Sequence, residues 1–173
     1  MTPKTIATVA TLSLVAGGAM ADDHMTPRAS AQVSGAGTEL AGTVTLNDTA
    51  SGRVLVQMDL TGVPEGTHAV HLHETGDCSA DDFTSAGGHV AGDAKHGVLV
   101  EGGPHPGDMP NMVVGSDGVL KGEVFLSALD IDGMIFDADG AAFVMHDGAD
   151  DYASQPAGDA GSRIACGVFE EAG

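Results

Sequence analysis

From Arg53 to Leu60 an apolar side chain falls on every second residue: Val54, Val56, Met58 and Leu60. A strand sends successive side chains to opposite faces, so this pattern specifies a strand with one buried face. Short runs of the same kind recur at Gly42–Leu46, Val119–Leu126, Ala141–His146 and Ile164–Phe169. Asn47–Gly52 reads as the turn between the first pair, and Asp117-Gly118, Asp132-Gly133 and Asp139-Gly140 are further turn signals. No long stretch repeats apolar residues at helical spacing, and 26 glycines punctuate the chain. The expectation is an all-β fold: short antiparallel strands closed into a sandwich or barrel.

Two stretches break the rhythm. Thr75–Met109 and Asp147–Ser162 are long, irregular and rich in glycine or polar residues. Loops of this length inside a compact domain usually carry function. At the start, residues 1–21 read as a secretory signal peptide. Lys4 supplies the positive end, Ile6–Val15 the short apolar core, and Ala19-Met20-Ala21 the small-residue cleavage site. Residues 22–34 then form a loose polar arm, and residues 35–173 a single domain large enough to bury its own core. Export implies a periplasmic or secreted protein. In that oxidising setting the two cysteines, Cys78 and Cys166, are expected to form one disulfide.

A formal net charge of −19 opposes binding to nucleic acid and docking on anionic membranes, both of which need a basic footprint. The strongest chemical signal is histidine. Of eight in the chain, His68, His71, His73, His89, His96 and His105 fall within one stretch. His71 and His73 are two apart on an expected strand, so both imidazoles face the same way and can share a metal. His68, Val70 and Leu72 take the other face, which makes His68 a core histidine holding a backbone hydrogen bond. His89, His96, His105 and Asp108 follow on the loop. Three imidazoles and a carboxylate can wrap a tetrahedral zinc ion. His146 closes the expected strand Ala141–His146 far along the chain. The donors suffice for two metals rather than one.

At these residues the sequence resembles the copper/zinc superoxide dismutases, in particular the bacterial exported type. The matching motifs are His71-Leu72-His73-Glu74-Thr75-Gly76-Asp77-Cys78, Ser85-Ala86-Gly87-Gly88-His89, Pro104-His105-Pro106-Gly107-Asp108-Met109-Pro110-Asn111 and Gly161-Ser162-Arg163-Ile164-Ala165-Cys166-Gly167-Val168. They stand in the family's order and span roughly residues 35–170. The resemblance implies a Greek-key β-sandwich or flattened barrel with long metal-binding and active-site loops. It implies a copper site made by His71, His73, His89 and His146. It implies a zinc site made by His89, His96, His105 and Asp108, with the His89 imidazole shared. Cys78 and Cys166 would form the family disulfide. Arg163 would draw the superoxide anion towards copper. Asp150 would link a copper histidine to a zinc histidine, with Asp151 as its competitor. The implied activity is disproportionation of superoxide as copper alternates between Cu(II) and Cu(I), with His89 releasing copper and taking a proton.

The match has departures. Val70 stands where phenylalanine is common, and the loop Asp147–Ser162 holds no lysine to guide the anion. Lys95 is a candidate secondary guide, against the plainer reading of a solvated lysine. Cleavage after Ala21 would expose Asp22-Asp23-His24, whose amine, amides and His24 imidazole can form a square-planar Cu(II) or Ni(II) site. A secreted copper/zinc-binding carrier on the same fold is the alternative function, because fold alone does not fix activity. Arg163 favours the enzyme, since a carrier has no use for it. The family includes monomers and dimers, so the sequence leaves a homodimer open.

Overall fold

The computed structural model describes residues 27–173. The expected signal peptide at 1–21 and the expected His24 site lie outside the described residues. Seven strands form one curled antiparallel sheet. They are β1 (Ala29–Gly35), β2 (Ala41–Asp48), β3 (Val54–Thr61), β5 (Val70–His73), β7 (Leu120–Leu126), β8 (Ala142–His146) and β9 (Arg163–Glu171), in the spatial order β5-β8-β9-β1-β2-β3-β7. β4 (Gly66–His68) and β6 (Met112–Val114) pair separately. β4 leads straight to β5 and β6 lies beside β7, so the small sheet spans the gap between the edges of the large one. One turn of helix, α1 (Ile131–Met134), is capped by the Asp130 side chain on the Asp132 amide. No helix among the described residues is long and apolar enough to cross a membrane.

The alternation expected from sequence is what packs the interior. Val54, Val56, Met58 and Leu60 of β3 meet Val44 and Leu46 of β2 and Leu120 and Leu126 of β7 in one buried cluster. A solvated outer face and an apolar inner face are how an antiparallel sheet is held against one core. The five expected strands are β2, β3, β7, β8 and β9, shifted by one or two residues at their ends.

The loose arm at 22–34 is corrected by β1. Residues 29–34 are a strand at the middle of the sheet, bonded to β2 on one side and β9 on the other. Ala29, Ala31 and Val33 point inward and are at most 3 % exposed. Their side chains are too small to register as a hydrophobic run, but two ladders of backbone hydrogen bonds hold the strand regardless. The domain therefore begins before residue 35.

His68 also differs in its setting. It ends β4 and pairs with Met112, so the chain changes sheets at Ala69 and the face parity of β5 does not extend back to it. His68 is nonetheless a buried histidine bonded to backbone, with ring nitrogens 2.8 Å from the His146 carbonyl and 3.0 Å from the Pro64 carbonyl.

Candidate metal centre

The long loop 75–109 is stitched along one edge of β5. The Leu72 amide donates to the Gly107 carbonyl, and the Val90 amide to the Leu72 carbonyl. These bonds set His89 opposite His73 and Asp108 opposite His71. β8 pairs with β5 from the other side and brings up His146. The β8–β9 register slips between Met145 and His146, an irregularity of the kind that re-aims a side chain beside a site. Strand, loop and neighbouring strand thus converge on one buried cluster of imidazoles.

Each imidazole has one nitrogen occupied and the other turned inward. His71 Nε2 donates to the Asp150 carboxylate at 2.9 Å. His73 Nδ1 donates to the Gly87 carbonyl at 3.0 Å, and His146 Nδ1 faces the Gly161 carbonyl at 3.4 Å. His89 Nδ1 lies 2.9 Å from Asp108. The remaining nitrogens, His71 Nδ1, His73 Nε2, His89 Nε2 and His146 Nε2, are buried and have no partner. An unpaired buried polar atom is costly, and four aimed at one point need a common explanation. The ligand atoms of these four residues lie within 4.8 Å of one another. A cation accepts lone pairs from all four at once; water or a side chain does not.

A second convergence lies behind the first. The Nδ1 atoms of His89, His96 and His105 stand 2.9, 3.2 and 3.2 Å from the same Asp108 oxygen. The other ring nitrogen of His96 donates to Asp150 at 3.0 Å, so its Nδ1 carries a lone pair facing a carboxylate. The His96 lone pair and this anionic oxygen repel unless a cation sits between them. Distances alone also group His71 with His89, His96 and Asp108, because the His71 and His89 rings stack with centroids 4.0 Å apart. His89 faces both clusters, with Nε2 in the first and Nδ1 in the second.

Asp150 joins the two clusters, holding His71 with one oxygen and His96 with the other. Asp151 does not compete: its carboxylate faces outward and caps the Ala153 and Ser154 amides. Asp150 is itself held by the Tyr152 amide and through the Asn111 side chain. Gly158 closes over this bridge in a left-handed conformation (φ 71°), where an added Cβ would overlap the Asp150 carboxylate and come within 2.6 Å of His96 Nε2.

Arg163 is half-buried. Nη1 donates to the Phe83 carbonyl at 2.6 Å and Nη2 to the Gly87 carbonyl at 2.7 Å. Gly87 also receives His73, so one carbonyl fixes a cluster imidazole and the guanidinium together. Cys78 and Cys166 form a disulfide that ties this loop to β9. A cavity of about 240 Å³ is lined by Arg163, Asp82, Thr84, Gly161 and Ser162. A neighbouring one of about 400 Å³ reaches His146 and shares Gly161. Lys95 is exposed and lines neither cavity.

Burial sets the charge state of the cluster. It draws His71 down to about 4, with the His89 ring adding to the effect and Asp150 opposing it. It draws His73 to about 2 and His146 to about 4. Burial pushes Asp150 upward, but the hydrogen bonds from His71 and His96 outweigh it and hold Asp150 at about 2. Asp108 is held well below the usual carboxylate range by His89 and two backbone amides, again against burial. At neutral pH His71, His73 and His146 of the metal-free chain are therefore neutral imidazoles and Asp108 and Asp150 are ionised, the protonation states that bind metal.

A stability prediction follows from the sign of these shifts. The unfolded chain takes up protons near pH 6.5 that folded His71, His73 and His146 refuse, so stability is fully present above that pH and declines as pH falls towards 4. The metal-free chain is expected to melt at least about 5 °C lower at pH 5 than at pH 7.5. An equal or higher melting temperature at pH 5, by calorimetry, would contradict the neutral buried cluster.

Comparison with known proteins gives one consistent result. The copper/zinc superoxide dismutase (SODC) family matches residues 40–169. A superoxide dismutase [Cu-Zn] of Caulobacter vibrioides is 40% identical over 137 residues, covering 75% of this chain and 78% of the relative. Superoxide dismutase [Cu-Zn] 2 of Aquifex aeolicus is 41% identical over 137 residues, covering 76% and 80%. Among solved structures, a double mutant of a SOD-like protein from Bacillus subtilis superposes with a TM-score of 0.75 at 32% identity, covering 80% of this chain and 95% of that one.

Proposed function

The chain belongs to the copper/zinc superoxide dismutase family, and from that premise we propose how its residues divide the work. The protein is a superoxide dismutase with copper and zinc as cofactors: two superoxide ions and two protons become one oxygen and one hydrogen peroxide. The four unpartnered buried nitrogens carry the assignment. His71, His73, His89 and His146 hold copper. His89, His96, His105 and Asp108 hold zinc. We assign His105 rather than His71 to zinc because His71 Nε2 is occupied by Asp150 and its Nδ1 is one of the four inward atoms. Copper bound there supplies the one-electron redox step, and zinc supplies positive charge without redox activity.

The chain's own residues do the rest. Asp150 fixes the tautomers of His71 and His96, so both present Nδ1. His89, facing both clusters, is the residue whose Nε2 takes up and returns a proton. Arg163 supplies the positive field at a cavity adjoining the one that reaches His146, and its two backbone anchors hold it there. The carrier alternative accounts for neither that guanidinium nor the cavity beside it.

The test is superoxide consumption by the exported chain after titration with copper and zinc. One equivalent of each is expected, with turnover dependent on copper. Arg163→Ala is expected to lower kcat/KM about 10-fold at unchanged copper content, with Arg163→Lys retaining more of the rate. Equal rates in all three proteins would remove Arg163 from the mechanism.

Two finer proposals accompany this one. The protein works outside the cytoplasm, periplasmic or secreted; the Cys78–Cys166 disulfide supports an oxidising compartment. It also forms a homodimer. Val98, Leu99 and Val113 are 63%, 73% and 78% exposed. Tyr152 joins their segments, accepting from the Leu99 amide through its carbonyl and from the Asn111 amide through its hydroxyl. Clustered exposed apolar side chains mark an association surface. Sedimentation is expected to show a dimer, and Leu99→Glu a monomer that still consumes superoxide. A monomeric unmodified chain would overturn this reading.

A further inference from the structure

The three histidines assigned to zinc have differently secured main chains. His89 is set opposite His73 by the bonds between its loop and β5. The His105 amide donates to the Asp108 carboxylate at 3.0 Å, within the same turn. His96 has neither support. Among the described residues its amide and carbonyl make no bond to another backbone group, although His96 is fully buried. A buried main chain without backbone partners must be met by a side chain or by water. One side chain meets both groups. Gln155 Oε1 accepts from the His96 amide at 3.0 Å, and Gln155 Nε2 donates to the His96 carbonyl at 2.8 Å. Nε2 donates to the Ala153 carbonyl as well, at 2.9 Å. A flipped amide would turn its oxygen towards two carbonyls, so the two acceptors select this orientation.

We propose that Gln155 is a positioning residue for zinc: its amide clamps both backbone groups of His96 and thereby fixes where His96 Nδ1 points. Gln155 makes no contact with the ligand nitrogens; it acts through the main chain of a residue that supplies one. The clamp lies on the same loop as Asp150, which holds the other nitrogen of the His96 ring. Ring and main chain are thus both fastened to the segment 147–162. The two loops also meet beside the clamp at Gly97, whose α-carbon lies against the Tyr152 backbone in a left-handed conformation (φ 91°) with no room for a Cβ. A ring held only at Nε2 can pivot when its backbone shifts, and the glutamine removes that freedom. Partners that orient a metal-bound histidine commonly change metal affinity by about 10–100-fold when removed. Gln155 itself is exposed, so its replacement leaves the apolar core intact.

The proposal rests on the assignment of His96 to zinc. Two substitutions separate bonding from mere covering. Gln155→Ala removes the amide and uncovers the His96 backbone. Gln155→Met keeps a side chain of similar length and volume but has neither the amide donor nor the amide acceptor. The readout is the rate at which the copper- and zinc-loaded chain gives up zinc to excess EDTA, with both metals followed by mass spectrometry. Both variants are expected to release zinc about 10-fold faster, with copper release unchanged. A native rate of zinc release in the Ala variant would overturn the proposal. So would a native rate in the Met variant alone, because the glutamine would then act only as a cover. Amide hydrogen exchange on the unmodified, reduced protein needs no variant. Protection of the His96 amide is expected, and exchange at the rate of a solvated loop amide would refute the clamp. Failure of the underlying assignment has a different signature: His96→Ala would then release zinc at the rate of the unmodified chain.

Discussion

Replacing His146 with alanine is expected to reduce copper-dependent superoxide consumption to that of the metal-free chain while leaving one zinc per chain in place. His146 Nε2 is one of the four buried nitrogens without a partner, so its loss removes one of the proposed copper donors. It has no place in the second cluster: neither the residues around Asp108 nor the Asp150 bridge includes it. The two sites share only His89, and His89 stays. The fold should tolerate the change, because the substitution keeps the backbone bond to Ala69 and alanine is compatible with a buried strand end. Metal content by mass spectrometry and superoxide consumption are measured on the same preparation. Retained turnover would show that copper is held elsewhere. Loss of zinc along with copper would show that the clusters depend on each other through more than His89.

The sequence made this cluster legible because its chemistry is written in side chains. His71 and His73 at strand spacing, then His89, His96, His105 and Asp108 along one loop, are donor residues whose identity survives without coordinates. The strands with clear alternation were legible for a similar reason. β1 was not, since Ala29 and Ala31 carry too little apolar surface to stand out and the strand is held by backbone bonds to both neighbours. β4 and β6 are three residues each, shorter than any period can reveal. Backbone groups were likewise invisible. The carbonyls of Phe83 and Gly87 fix Arg163, and nothing in the identity of a residue announces its carbonyl. Asp150 and Asp151 could not be separated by spacing, because adjacent loop carboxylates have no periodic face. One turned in to two imidazoles and its neighbour turned out to cap a turn. Gly158 carried no signal at all, although only a residue without a side chain fits over the Asp150–His96 bridge.

Removing the disulfide, by Cys78→Ser with Cys166→Ser, is expected to lower stability by about 4–5 kcal/mol, because the bridge closes a loop between residues far apart in the chain and restricts the unfolded state. The separation is 88 residues. For a domain of this size the melting temperature should fall by about 10–15 °C. A second effect follows from where the bridge sits. Cys166 and Arg163 lie on the same strand, β9, and Cys78 begins the segment that carries Phe83 and Gly87. The disulfide therefore clamps the guanidinium to its two carbonyl acceptors from both ends. Gly87 also orients His73, so loosening that segment disturbs a proposed copper ligand and the proposed anion guide in one step. Superoxide consumption per bound copper, measured well below the new melting point, is expected to fall about 10-fold or more, since misplacement of aligned groups is costly to rate. An unchanged melting temperature would contradict the stabilising role. A lower melting temperature with an unchanged rate per copper would mean that β9 and the loop keep Arg163 aimed without the bridge, and that the disulfide stabilises the fold alone.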